Sequence, residues 1–119
     1  MKVLIIGASG LVGSNCLNYF KQKEWNCIGT YFSYHAANTV FFDTLNLHNK
    51  DNFDVAKFKP DVILHCGALT HVDYCEHHEN ESYDKTVLST LNMIKLSNEV
   101  KAKLIFIYTD YIFDGKEGP

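Results

Sequence analysis

Three glycines spaced three residues apart constrain this chain more than any other feature of its sequence. Gly7, Gly10 and Gly13 follow the apolar run 3–6 and open a stretch, 11–23, whose apolar side chains recur at helical spacing. A turn without Cβ atoms between a buried strand and a helix lets an anion approach the backbone amides at the helix start. We therefore predict a diphosphate site on this loop, formed by Gly7, Ser9, Gly10, Leu11, Val12 and Gly13.

Apolar runs and helical patterns alternate along the chain. The predicted strands are 3–6, 27–31, 40–42, 62–66 and 104–108, and the predicted helices are 11–23, 50–58 and 82–100. The amphipathic pattern of the last helix is carried by Val87, Leu88, Leu91, Ile94 and Asn98. Such alternation implies right-handed crossovers and a parallel sheet. We predict an α/β Rossmann-type doubly wound sheet of order 3-2-1-4-5, truncated before the later strands of that fold.

Composition narrows the class of protein. The chain has 119 residues, of which 46% are hydrophobic and 21% charged, as expected for one globular domain. A net charge of −3 argues against nucleic-acid binding, and no apolar run is long enough for a signal peptide or a membrane span. The four cysteines lack paired spacing, so we expect reduced thiols and a cytoplasmic location. Arginine is absent, which leaves backbone amides, lysines and hydroxyls to hold any phosphate.

Several segments resemble the extended short-chain dehydrogenase/reductase family, and in particular its dTDP-4-dehydrorhamnose reductase-like branch. The resemblance is carried by residues 60–70 (PDVILHCGALT), by 72–76 (VDYCE) and, most specifically, by 109–115 (TDYIFDG). It implies that residues 1–119 form an NAD(P)-binding Rossmann domain, with the C-terminal substrate-binding part absent from this chain. The implied function is that of an NAD(P)-dependent oxidoreductase of nucleotide-sugar metabolism, whose full-length form binds a nucleotide-sugar substrate.

The resemblance also implies roles for individual residues. Thr109 falls at the Ser/Thr position after the fifth strand that hydrogen-bonds the sugar oxygen, so it is the expected catalytic residue. Asp43 matches the family's aspartate near the adenine. Other expected cofactor contacts are Tyr31, Ser33, Leu45, Cys66, Gly67, Ala68 and Leu69. The expected substrate contacts are Thr70, Val72, Asp110 and Phe113.

The chain departs from the family pattern at positions that matter for catalysis. The family's Tyr-x-x-x-Lys motif does not follow residues 109–115, so we expect this chain alone to be inactive. Residues 19–23 do match Tyr-x-x-x-Lys, but they lie at the far end of the first helix, about 10–15 Å from the diphosphate site. We therefore do not assign this match a catalytic role. The acidic residue that binds the ribose hydroxyls of NAD, expected about 20 residues after the glycine loop, is missing. Hydroxyl side chains within 29–35 could bind a 2′-phosphate, so NADP(H) is favoured over NAD(H) as the cofactor. In the last predicted helix, Thr86 stands where family members commonly carry asparagine.

Other interpretations stay open at this point. A nucleotide-sugar epimerase or dehydratase has the same cofactor-binding domain and is one alternative. A non-catalytic, dinucleotide-binding regulatory subunit is another, because it does not require the catalytic tyrosine. A truncated product is a third alternative. We expect no metal site in the His- and Cys-containing segment 71–78, because its potential ligands lack paired spacing. The fifth strand would be an apolar sheet edge, so self-association through it is expected.

Overall fold

The computed structural model describes residues 1–67 and 76–107. Within them, five parallel strands form one sheet of order β3-β2-β1-β4-β5, which confirms the predicted fold and strand order. The strands are β1 (Lys2–Ile6), β2 (Asn26–Tyr31), β3 (Thr39–Phe41), β4 (Val62–His65) and β5 (Lys103–Phe106). The order reverses between β1 and β4, and ligands of such sheets bind at the carboxyl ends of the strands beside that switch.

The helical segments flank this sheet. They are α1 (Leu11–Gln22), α2 (Val55–Phe58), α3 (Glu79–Tyr83), a π-helical turn (Asp84–Leu88) and α4 (Ser89–Val100). None of the helices in the described part of the chain is long and apolar enough to cross a membrane.

The second helix is shorter than predicted. It starts only after Asp54, whose carboxylate accepts a hydrogen bond from the Lys57 amide at 3.0 Å, and it ends at Lys59, which has a left-handed φ of 52°. Before it, the side chains of Asn46 and Asn49 accept hydrogen bonds from backbone amides two residues ahead. Such turns compete with helix formation, so the expected start at residue 50 was wrong.

The central strand β1 is buried on both faces of the sheet. Because side chains alternate along a strand, Leu4 and Ile6 enter one core with Met93, while Val3 and Ile5 enter the other with Leu17. All four of these β1 side chains are at most 3% exposed. This confirms the inference, drawn from the continuous apolar run, that the strand lies at the centre of a parallel sheet.

The inward face of α4 differs from the one that its apolar pattern indicated. Its buried residues are Ser89, Met93, Leu96 and Ser97. Val87, Leu88, Leu91 and Ile94, which the sequence analysis used to identify the helix, are 38–51% exposed. The small serine side chains permit close contact with the sheet. The predicted helix was therefore confirmed, whereas the buried face that its apolar residues implied was wrong.

The β5 edge is apolar, as the sequence indicated. β5 pairs with β4, and in the described part of the chain it has no second neighbouring strand. Ile105 is 41% exposed and Ile107 46% exposed. Self-association through this edge remains a prediction.

Candidate functional site

The glycine loop requires glycine at two of its three positions. Gly7 has a φ of +80°, and a Cβ there would lie 2.8 Å from the backbone N of Gly67. A Cβ on Gly13 would lie 2.3 Å from the carbonyl oxygen of Gly7. Gly10 has room for a side chain, because the nearest atom to its Cβ position is 3.5 Å away. Gly7 and Gly13 therefore allow the tight packing of strand, loop and helix, while Gly10 leaves the outer surface of the loop open.

Thr30 on β2 holds the loop in place. The Gly7 amide donates to the Thr30 hydroxyl at 3.3 Å, and the Ala8 amide donates to the Thr30 carbonyl at 2.8 Å. Thr30 is only 1% exposed. Its hydroxyl belongs to the segment 29–35 that was expected to favour NADP(H), but its contact with the loop was not predicted, since nothing local to β2 shows that it faces the loop.

The first turn of α1 presents its backbone amides outward. Within the described residues, no side chain caps the helix at Gly10, and its first turn contains no acidic residue. Leu11 is 81% exposed and Val12 50% exposed. The first amides of a helix lack partners within the helix and carry partial positive charge. This end of α1 can therefore bind an anion.

A cavity of about 150 Å³ lies beside the loop at the carboxyl ends of the strands. Pockets that enclose a whole drug-sized ligand are commonly about 300–1,000 Å³, so this cavity can enclose only part of a dinucleotide. Six predicted cofactor residues line it: Gly7, Tyr31, Ser33, Asp43, Leu45 and Gly67. The sequence analysis missed the other lining residues, which are Ile6, Thr30, Phe32, Phe42, Thr44, Lys85 and Ser89.

The remaining predicted residues lie beside the cavity or outside the described residues. Ser9, Gly10, Leu11, Val12 and Gly13 form the loop and the start of α1, next to the cavity wall. Cys66 is half-buried and does not line the cavity; burial and the neighbouring Cys16 thiol raise its pKa to about 11. The residues outside the described part are Ala68, Leu69, Thr70, Val72, Thr109, Asp110 and Phe113.

Two charged side chains line the cavity. Asp43 follows β3, and its Oδ1 accepts a hydrogen bond from the Leu45 amide at 2.9 Å. Lys85 lies in the π-helical turn, and its Nζ is 2.7 Å from Glu81 Oε1. Both partners of that ion pair are more than one-third exposed, so the pair is weak and Lys85 is available to an anionic ligand.

A buried histidine is connected to the cavity wall by hydrogen bonds. His65 at the end of β4 is 0% exposed, and desolvation by burial lowers its pKa to about 4. The Gly67 amide donates to its Nδ1 at 3.3 Å, and its Nε2 lies 3.3 Å from Ser89 Oγ. Ser89 Oγ in turn donates to Thr44 Oγ1 at 2.8 Å. Residues from three separate elements thus form one polar chain that ends in the cavity.

The π-helical turn contains Thr86, the residue that the family resemblance aligned with a common asparagine. Its Oγ1 is buried and has no hydrogen-bond partner within residues 1–67 and 76–107. Its carbonyl accepts from Thr90 Oγ1 at 2.6 Å. Short π-helical segments occur frequently at functional sites, and this one carries Lys85 to the cavity.

Comparison with known proteins extends this description. The family described as the RmlD substrate binding domain matches residues 1–119. Methionine adenosyltransferase 2 subunit beta of Bos taurus is 33% identical over 99% of this chain and 35% of its own length. The chain therefore spans about a third of this relative.

Solved structures of related proteins have the same fold. A hypothetical dTDP-4-dehydrorhamnose reductase from Sulfolobus tokodaii superposes with a TM-score of 0.85 at 29% identity, over 99% of this chain and 42% of that one. The dTDP-4-dehydrorhamnose reductase of Bacillus anthracis strain Ames, solved in complex with NADP, gives 0.82 at 27% identity, over 98% and 39%.

Proposed function

Because the chain belongs to the RmlD substrate binding domain family, we propose that it binds NADP(H) as the nucleotide-binding part of a nucleotide-sugar oxidoreductase. The observation that carries this proposal is the open glycine loop. Gly7 and Gly13 are packed too closely for any side chain, and the start of α1 has no side-chain cap in the described part of the chain. A diphosphate fits this surface, since it accepts hydrogen bonds and favours the positive end of the helix.

The cavity residues suggest how the rest of the cofactor would be held. With its diphosphate at the start of α1, the adenosine would enter the cavity between the end of β2 and Asp43, beside Thr44. The bound nicotinamide would supply the hydride for reduction of the sugar carbonyl. Under this proposal, Thr109 orients the substrate oxygen, as the family resemblance implies. The free thiols of Cys16, Cys27 and Cys66 support a cytoplasmic location.

A direct test is calorimetric titration of the chain with NADPH and with NADH. We expect both to bind, with NADPH binding more tightly, and we expect no oxidation of NADPH when dTDP-4-dehydrorhamnose is added. This expectation concerns residues 1–119 by themselves, which contain no Tyr-x-x-x-Lys after residues 109–115. Failure of both dinucleotides to bind would contradict the proposed function, and robust turnover would contradict the expected inactivity.

The preference for NADPH is assigned to Lys85, which lines the cavity in a chain that has no arginine. We expect Lys85→Ala to weaken NADPH binding about fivefold, because a partly exposed charge-assisted hydrogen bond contributes about 1 kcal/mol. NADH, which lacks the 2′-phosphate, should lose less than about twofold on the same scale. Calorimetry with both dinucleotides measures the difference.

Lys95→Ala is the matched control for this variant. Lys95 is an exposed lysine on α4 that does not line the cavity, and its replacement should leave both affinities unchanged. An equal loss for NADPH and NADH in Lys85→Ala would rule out a role for Lys85 in recognition of the 2′-phosphate.

A second candidate function is supported by the relative with 33% identity, which is named as a subunit of methionine adenosyltransferase. In this alternative, the dinucleotide site serves a regulatory subunit and performs no reduction. The regulatory and reductase functions can be distinguished by what the protein binds and by what it reduces. Stable co-purification with the methionine adenosyltransferase catalytic subunit of the same organism would favour the regulatory subunit. Reduction of dTDP-4-dehydrorhamnose by a longer form of the chain would favour the reductase.

A further inference from the structure

The hydrogen-bonded chain that begins at His65 has a fixed direction. A backbone amide can only donate, so the bond from Gly67 makes His65 Nδ1 an acceptor, and the single proton of the neutral ring must lie on Nε2. Nε2–H then donates to Ser89 Oγ, which leaves the Ser89 proton for Thr44 Oγ1. The Thr44 hydroxyl therefore receives a hydrogen bond from inside the protein, and its own proton is left over.

That proton is available to a ligand in the cavity. Thr44 lines the cavity, and within residues 1–67 and 76–107 no acceptor is bonded to its hydroxyl. The backbone of Thr44 is also held in place, since its carbonyl accepts from Asn92 Nδ2 at 2.8 Å. The cavity wall at this point is a fixed hydrogen-bond donor.

An acceptor stands next to this donor. Asp43 precedes Thr44 and also lines the cavity; its Oδ1 accepts from the Leu45 amide, and no residue within 1–67 and 76–107 donates to its Oδ2. A carboxylate oxygen only accepts, whereas the Thr44 hydroxyl is committed to donate. The pair therefore complements a base edge that places a ring-nitrogen acceptor beside an amino donor.

We propose that Thr44 is a specificity residue for the adenine base, and that His65 is a positioning residue that acts through Ser89 to fix the Thr44 hydroxyl as a donor. The inference rests on the proposed dinucleotide function. The Watson–Crick edge of adenine places the N1 acceptor beside the 6-amino group, whereas in hypoxanthine N1 carries a proton that would face the Thr44 donor. Hypoxanthine replaces the amino group with a carbonyl oxygen, which would face the Asp43 carboxylate, acceptor against acceptor. The wall should therefore select adenine over hypoxanthine.

The test compares NADPH with reduced nicotinamide hypoxanthine dinucleotide phosphate by calorimetry. The unaltered chain should bind the adenine form about tenfold more tightly or better, since the hypoxanthine form loses one or two hydrogen bonds. Thr44→Val should weaken NADPH binding about 3- to 10-fold and reduce the ratio of the two dissociation constants, hypoxanthine form to adenine form. Thr44→Ser, which keeps the hydroxyl, should restore both the NADPH affinity and this ratio. Ser89→Ala should also narrow the ratio, because the Thr44 hydroxyl becomes free to rotate.

Ser97→Ala is the matched control, since Ser97 is another buried serine of α4 and its hydroxyl donates to the Ile94 carbonyl of the same helix. It should leave the ratio unchanged. If Ser89→Ala does not unfold cooperatively, the comparison of Thr44→Val with Thr44→Ser decides the matter. NADPH binding with an unchanged ratio in Thr44→Val would overturn this inference alone. Failure of the unaltered chain to bind either dinucleotide would overturn the proposed function as well.

Discussion

Replacement of Gly13 by alanine should abolish dinucleotide binding and lower the free energy of unfolding by about 3 kcal/mol. The added Cβ would lie 2.3 Å from the Gly7 carbonyl oxygen and 2.8 Å from Ala8 Cα. Both are backbone atoms, so neither can rotate away as a flexible side chain would. Relief of the clash requires α1 to move away from the loop, and this displaces the amides that would bind the diphosphate. Urea unfolding and calorimetry with NADPH measure the two effects.

Gly10→Ala is the matched control for this substitution. Its Cβ would lie 3.5 Å from the nearest atom, an ordinary contact, so the free energy of unfolding should change by less than about 1 kcal/mol. The methyl group would still stand on the outer surface of the loop, where a diphosphate must approach, and NADPH binding should weaken. If Gly13→Ala were as stable as the unaltered chain and bound NADPH equally well, the loop would not be the diphosphate site.

Acidification from pH 6.5 to pH 4 should cost about 3 kcal/mol of stability through His65 alone. Burial lowers the pKa of this histidine from 6.5 to about 4, so in that range the unfolded chain takes up a proton that the folded chain does not. The free energy of unfolding therefore falls as the pH falls through this window. At a pH well above 6.5 the residue is neutral in both states, and it makes no further contribution to the pH dependence.

The measurement is urea unfolding at several pH values across this range. His65→Gln removes the titrating group while keeping an amide N–H, so its stability should depend less steeply on pH than that of the unaltered chain. His48→Gln, which replaces an exposed histidine, is the matched control for the substitution itself. A His65→Gln variant with the same pH dependence as the unaltered chain would show that the folded protein does not keep His65 neutral.

Much of the architecture could be predicted because its causes are local in sequence. The apolar run before Gly7 and the helical spacing after Gly13 identify a strand, a turn and a helix, and repeated alternation of this kind leads to a parallel sheet. The glycine loop could be recognised for the same reason, since the need for glycine arises within a few residues. Asp43 was identified only by its resemblance to the family, and the structure places it on the cavity wall.

The sequence by itself therefore determined the order of the strands and the position of the glycine loop. Only the tertiary structure decided which face of α4 turns inward, because a helical pattern does not say which of two apolar stripes the sheet will contact. It also decided that Thr44, His65 and Ser89 meet. His65 and Ser89 are 24 residues apart in the sequence, and Thr44 and Ser89 are 45 residues apart. None of the three stands out from its neighbours in the sequence. Their hydrogen bonds exist because the ends of β3 and β4 and the start of α4 lie at the same edge of the sheet, and no local sequence pattern predicts that they meet.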